Sequence, residues 1–144
     1  MITTRTTKLQ LAERAWGLMF AFFVRTHPQR TAALASRGLT PNDSRGLNTL
    51  DTEQGRTMHS LAEEWGCDAS NATWIVNRLE RLGLAERRAD PDDGRVRLVV
   101  LTTEGAATKK AVLAEFHTPP GQLLRLERGE LEALSATLLR LLDE

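Results

Sequence analysis

Two short helical segments joined by three residues constrain this chain more than anything else in it. "MHSLAEEWG", residues 58–66, is a helix closed by Gly66, and Asp68 or Ser70 caps a second helix, "SNATWIVNRLERLG", residues 70–83. Within the second segment Ala72, Ile75, Val76, Leu79 and Leu82 recur at helical spacing and define one buried stripe. At about 100° per residue, Ser70, Trp74, Asn77, Arg78 and Arg81 then project from the opposite side. A pair of helices separated by Gly66, Cys67 and Asp68 has the spacing of a helix-turn-helix. Trp74 is the anomaly, because a solvated face seldom carries a tryptophan: that face meets a partner, or Trp74 folds back on a neighbouring loop.

After Gly83 the period changes. "LAERRADPDDGRVRLVVLT" reads strand, turn, strand, with "DPDDG" supplying turn residues and "VRLVVLT" the β-branched alternation of a half-buried strand. A β-hairpin directly behind such a helix is a wing. Upstream, residues 8–26 give a helix rich in bulky apolar groups, interrupted where His27 precedes Pro28. "PQRTAALASRG" gives a second short helix stopping at Gly38, and "LTPNDSRGLNTLD" a third, with Thr40 as N-cap and Pro41 in first position, ending near Asp51. Helix returns from Thr103 to Phe116, breaks at "TPPG", and resumes through "LLRLERGELEALSATLLRLLDE".

With 144 residues the chain is about one domain's worth and can bury a proper core. No apolar run approaches the ~20 residues that span a bilayer, and "MITTRTTKLQ" lacks a signal-peptide apolar region, so the expected location is cytoplasmic. A single cysteine, Cys67, excludes an intrachain disulfide and a cysteine metal cluster. Beside Asp68, which discourages a thiolate, it reads as a packing residue, with a redox-sensing thiol as the other reading. His27, His59 and His117 are far apart, with no HExxH, no phosphate-cradling glycine loop and no nucleophile elbow, so neither enzyme activity, nor a metal, nor a cofactor is expected. Net charge is zero, which by itself argues against a nucleic-acid partner. The average hides a gradient: residues 1–37 carry six basic and one acidic side chain, whereas residues 68–102 balance at six and six, so a basic surface there depends on how the fold separates the signs.

The order of helices, helix-turn-helix, wing and terminal helices, together with "LTP", "LAEEWGCDASNATWIVNRLERLGLAERR" and "DPDDGRVRLVVLTTEG", resembles the MarR family of winged helix-turn-helix transcriptional regulators. The likeness is strong over about residues 39–107 and rests on layout alone in the flanking helices. It implies a mainly α fold with a small β-hairpin wing, in one compact domain overall. Residues 1–38 and 103–144 would be dimerisation helices and residues 39–102 the DNA-binding module. A homodimer would explain why Trp16, Phe20 and Phe23 add so much apolar area to an ordinary core, the alternative being a purely intrachain core. The implied function is a sequence-specific double-stranded DNA-binding regulator, a repressor, acting on a near-palindromic operator. The competing class is a winged-helix module that binds protein or has lost DNA binding.

The resemblance also assigns residues. The second helix of the motif would enter the major groove, with Ser70, Asn71 and Thr73 in its first turns, Asn71 or Asn77 placed for adenine, and Arg78 reaching guanine or phosphate. Trp74 would lie against sugar or thymine methyl groups, at a point where relatives carry a polar or basic residue. Arg95 matches the family's wing arginine, inserted in the minor groove, and Asp93 the aspartate that orients it; Gly94 stands where relatives often have another arginine. Arg87, Arg88 and Arg97 are phosphate partners or plain surface charges. A small aromatic or phenolic effector would bind near Trp16, Phe20, His27 and the 39–50 segment.

Overall fold

A computed structural model describes residues 6–142. It divides into two compact units, one made of the residues up to Gln29 together with those from Thr118 onward, the other of Arg30–His117.

The second unit holds the motif. From Arg30 within α2 (His27–Ala35) it runs through α3 (Pro41–Thr49), α4 (Met58–Trp65), α5 (Ala69–Arg81), the antiparallel hairpin β1 (Ala85–Ala89) and β2 (Arg97–Leu101), and α6 (Thr103–Phe116). Hydroxyl or carboxylate caps start these helices: Thr40, Thr57, Asp68 and Thr102 each accept the backbone N–H three residues on. Of the two candidates for capping α5, Asp68 takes the role, its Oδ1 accepting from Asn71 N at 2.7 Å. Gly66 closes α4 at φ 59°, the left-handed conformation that lets the chain reverse into α5 within three residues.

The apolar stripe of α5 is buried as its period requires. Ala72, Ile75, Val76 and Leu79 pack with Leu47, Leu61, Val99 and Leu101, fixing α5 against α3, α4 and the wing strands; Leu82, assigned to the same stripe, stays 37 % exposed at the helix end. Two glycines permit this approach. A Cβ on Gly105 would lie 1.9 Å from the Leu84 carbonyl oxygen, and one on Gly46 would lie 2.6 Å from Leu79 Cδ1. Beyond the expected hairpin, Arg56 pairs with Val99 in an isolated antiparallel bridge, with N–H···O distances of 3.0 and 2.8 Å.

The first unit contains α1 (Lys8–Arg25), a 3-10 turn (Leu123–Arg125) and α7 (Arg128–Leu142). Where one helix was expected from Leu123 to the end, a turn precedes α7, and Asp143 and Glu144 lie outside the described residues. The break between α1 and α2 falls at Thr26, whose hydroxyl donates to the carbonyls of Phe22 and Phe23, so that His27 opens α2. Neither α1 nor α7 buries a residue within the chain. Among the described residues no helix is long and apolar enough to cross a membrane.

Candidate nucleic-acid interface

The outward stripe of α5 runs Ser70, Trp74, Asn77, Arg81, all exposed. Helical geometry places these residues one above another over three turns. Among the described residues, Ser70, Asn71, Thr73, Trp74 and Arg81 have no side-chain hydrogen bond or ion pair, so this face offers free donors, acceptors and one half-exposed indole. The contrast between Trp65 and Trp74 is informative. Trp65 is buried and its Nε1–H donates to Thr49 Oγ1 at 3.0 Å. Trp74 is 50 % exposed, and its indole N–H has no acceptor among the described residues. It lines, with Asn77, Glu80 and Arg81 of the same helix, an open hollow of about 540 Å³.

Arg78 departs from this picture. Expected to reach guanine or phosphate, it turns along the protein: Nε donates to Asp43 Oδ1 and Oδ2 at 2.9 and 3.0 Å, and Nη2 donates to the Gly38 carbonyl at 3.1 Å. Asp43 is fully buried, and its Oδ2 also accepts the Thr40 N–H at 2.8 Å, completing a capping box at the start of α3. Arg78 therefore ties α5 to the start of α3. Sequence reasoning missed Asp43, although "TPND" held the signal: a threonine cap followed three residues later by a carboxylate.

A second arginine also faces inward. Arg87 on β1 pairs through Nη1 with Glu80, and its Nη2 donates to Asn77 Oδ1 at 3.0 Å. Arg88 pairs with Glu86, two residues away on the same face of β1. Arg97, at the start of β2, is exposed and has no partner among the described residues.

At the wing tip, Asp90 N–H donates to Val96 O and Val96 N–H to Asp93 O, both at 2.9 Å, closing the turn. Asp93 Oδ1 accepts the backbone N–H of Arg95 at 3.1 Å and its Nε at 3.2 Å. Those two bonds, the side-chain one first, hold the Asp93 carboxyl below the usual carboxylate range. The arginine side chain nevertheless stays 93 % exposed, so the aspartate aims the guanidinium without covering it.

Of the residues named for an effector, Trp16, Phe20 and His27 belong to the first unit and the 39–50 segment to the second. Trp16 and Phe20, 67 % and 59 % exposed, line with Met19 and Phe23 an apolar hollow of about 430 Å³ on α1, and His27 is exposed at the start of α2. Cys67 is half-buried against the core of the second unit.

Known proteins share this fold. A sequence profile described as MarR family matches residues 37–96. The chain is 30 % identical over 111 residues to the uncharacterized HTH-type transcriptional regulator YcgE of Bacillus subtilis, covering 77 % of this chain and 70 % of that one. It is 29 % identical over 121 residues to the transcriptional repressor MprA of Escherichia coli, covering 80 % and 69 %. Among solved structures, a mutant of S. aureus MepR bound to an oligodeoxyribonucleotide superposes with a TM-score of 0.67 at 23 % identity, covering 87 % of this chain and 95 % of that one.

Proposed function

The chain belongs to the MarR family of winged helix-turn-helix transcriptional regulators, and from that premise we propose that it is a homodimeric repressor that binds a near-palindromic operator in double-stranded DNA. The observation that carries this reading is the exposed stripe Ser70, Trp74, Asn77, Arg81 on the outer face of a helix-turn-helix helix, with the exposed guanidinium of Arg95 on the adjoining wing. A helix with this face enters the major groove, and the wing arginine enters the neighbouring minor groove. Ser70, Asn71 and Thr73 meet phosphate and base edges at the N-terminal turn, while Arg97 flanks the backbone and Arg88, paired with Glu86, sits beside it without neutralising a phosphate. MprA, named as a repressor, and MepR, bound to an oligodeoxyribonucleotide, support the sign of regulation and the partner.

The homodimer rests on α1 and α7. Trp16, Leu18, Phe20, Phe23, Leu138, Leu139 and Leu141 are all exposed in the single chain. Apolar area of this extent is what an interface between copies covers. The hollow formed by Trp16, Met19, Phe20 and Phe23 lies on α1 itself, and a small aromatic effector seated there or near His27 would loosen the dimer's grip on DNA.

Selection of random duplex DNA by the purified protein, followed by titrations at several salt concentrations, tests this function. The expected result is an inverted repeat with half-sites about one helical turn apart, and a steep salt slope. Weak, featureless binding with no enrichment would refute it and favour a protein-binding module. Titrating the operator complex with a panel of phenols tests the effector: release is expected, and uniform lack of release would remove it.

A further inference from the structure

We propose that Trp74 and Asn77 together read one thymine in each half-site, Trp74 covering its C5-methyl group and Asn77 donating to its O4. The proposal rests on the DNA-binding reading above and specifies what its central helix recognises.

The polarity of Asn77 carries the first half. An arginine N–H needs an acceptor, so the bond from Arg87 Nη2 to Asn77 Oδ1 at 3.0 Å turns the carboxamide oxygen toward the wing and leaves the Nδ2 donors facing outward. Arg87 is itself held by Glu80, one turn along the same helix, so the carboxamide is clamped from its own face. Bidentate pairing with adenine needs the oxygen and the nitrogen both turned toward the base, to accept from N6 and donate to N7. With its oxygen engaged by Arg87 on the wing side, Asn77 presents the Nδ2 donors as its unengaged groups. It therefore suits a base that shows an acceptor in the major groove.

Trp74 supplies the second half. Residues three apart on a helix are neighbours, with Cβ atoms about 5–6 Å apart. The indole beside Asn77 has half its surface exposed, and the hollow they share is open to solvent. Along the major groove of a stacked duplex, the only apolar group on a base edge is the thymine methyl. On thymine that methyl stands next to O4, an acceptor, which matches an apolar plate adjacent to a fixed N–H donor. Cytosine offers neither group, and uracil offers O4 without the methyl.

Base analogues separate the two contacts. In the selected operator, each thymine is replaced in turn by deoxyuridine, which removes only the methyl, or by a 5-methylcytosine·guanine pair, which keeps the methyl and puts an amino donor where O4 was. Binding is measured for the wild type, Trp74→Ala and Asn77→Ala. At one thymine per half-site, deoxyuridine is expected to weaken the wild type about fourfold, the worth of one buried methyl, and to leave Trp74→Ala unchanged. At that same position the 5-methylcytosine pair is expected to weaken the wild type at least fivefold and Asn77→Ala less than twofold. Arg87→Met, which frees the carboxamide to turn, is expected to admit adenine at that position without altering preference elsewhere. Both residues lie at the surface and their losses are one exposed hydrogen bond and a half-buried indole, so both alanine variants should remain folded, which their unfolding midpoints check. If no duplex is enriched, the DNA-binding reading itself falls. If an operator is enriched but deoxyuridine is silent everywhere, weakens wild type and Trp74→Ala alike, or acts at a different thymine from the Asn77 effect, the thymine reading alone is overturned.

Discussion

Replacing Arg78 by leucine would remove one partner of an ion pair whose other member cannot reach water. Asp43 is fully buried and the Arg78 side chain is only 27 % exposed, and three donor contacts run from Arg78 to Asp43 and Gly38. Breaking a buried pair from one side costs about 3–5 kcal/mol, because the remaining charge stays desolvated. Here Thr40 N–H still satisfies one carboxylate oxygen, which places the cost at the lower end, about 3 kcal/mol. Asp43→Asn keeps an acceptor for Thr40 and should cost about 1–2 kcal/mol. Joining the two substitutions leaves no stranded charge, so the double variant should be more stable than the sum of the singles by about 1–2 kcal/mol. Urea unfolding of all four proteins, at one protein concentration so that any association of copies contributes equally, measures this cycle. A loss below about 0.5 kcal/mol for Arg78→Leu, or strict additivity, would refute an ion pair that anchors α5 to α3.

The remaining expectations concern three other parts of the molecule. Phe20→Glu places a carboxylate in the exposed apolar face of α1 and should give a monomer in analytical ultracentrifugation; a persistent dimer would move the interface elsewhere. Gly105→Ala should destabilise by about 3 kcal/mol or prevent folding, since the new methyl would overlap the Leu84 carbonyl at 1.9 Å, and an unchanged melting temperature would refute that packing. The Asp93 carboxyl is depressed by its bonds to Arg95, so its hold on the wing arginine is complete above its unfolded value of about 3.9 and is lost as pH falls through the lower folded value. An NMR titration of the Asp93 carboxyl carbon should show a midpoint below about 3.9; a normal midpoint would mean the contact does not persist in solution.

The fold was legible where local pattern and packing agree. The 3.6-residue stripe on α5, the glycine stop at Gly66 and the β-branched run to Leu101 are each written in a short local stretch, and the structure follows them. The bridge from Arg56 to Val99 was not legible, because nothing periodic surrounds "TEQGRT" and only the distant strand gives it a partner. The candidate site divides the same way. Helical phase placed Ser70, Trp74 and Asn77 outward without ambiguity, whereas the direction of an arginine head group depends on acids that arrive from elsewhere in the chain. Arg78 sits about 80° from Ser70 on the α5 wheel, near enough to read as outward, until α3 brings Asp43 beneath it from 35 residues away. Asn77's donor was hidden for the same reason, since Arg87 reaches it across the turn at Gly83.

These pairings also reconcile zero net charge with the proposed DNA-binding surface. Arg78, Arg87 and Arg88 are matched inside the module by Asp43, Glu80 and Glu86, which consumes basic and acidic groups in equal number. Charges neutralised internally release no counterions when DNA binds. Arg81 and Arg97 have no side-chain partner among the described residues, and Arg95 is held at its root but 93 % exposed, so α5 and the wing keep these three guanidinium groups for phosphate or groove under the proposed function. The proposed dimer would present six, and at about 0.9 counterion per neutralised phosphate, log K should fall against log salt with a slope of about −5.4. Arg95→Ala removes one group per protomer and should bring that slope to about −3.6 for the dimer, while Arg78→Leu should leave it where it was. Fluorescence anisotropy on the selected operator across a fourfold range of salt resolves the difference. If Arg78→Leu flattened the slope as much as Arg95→Ala, Arg78 would have to leave Asp43 in the complex, and the division between anchoring and reading arginines would be wrong.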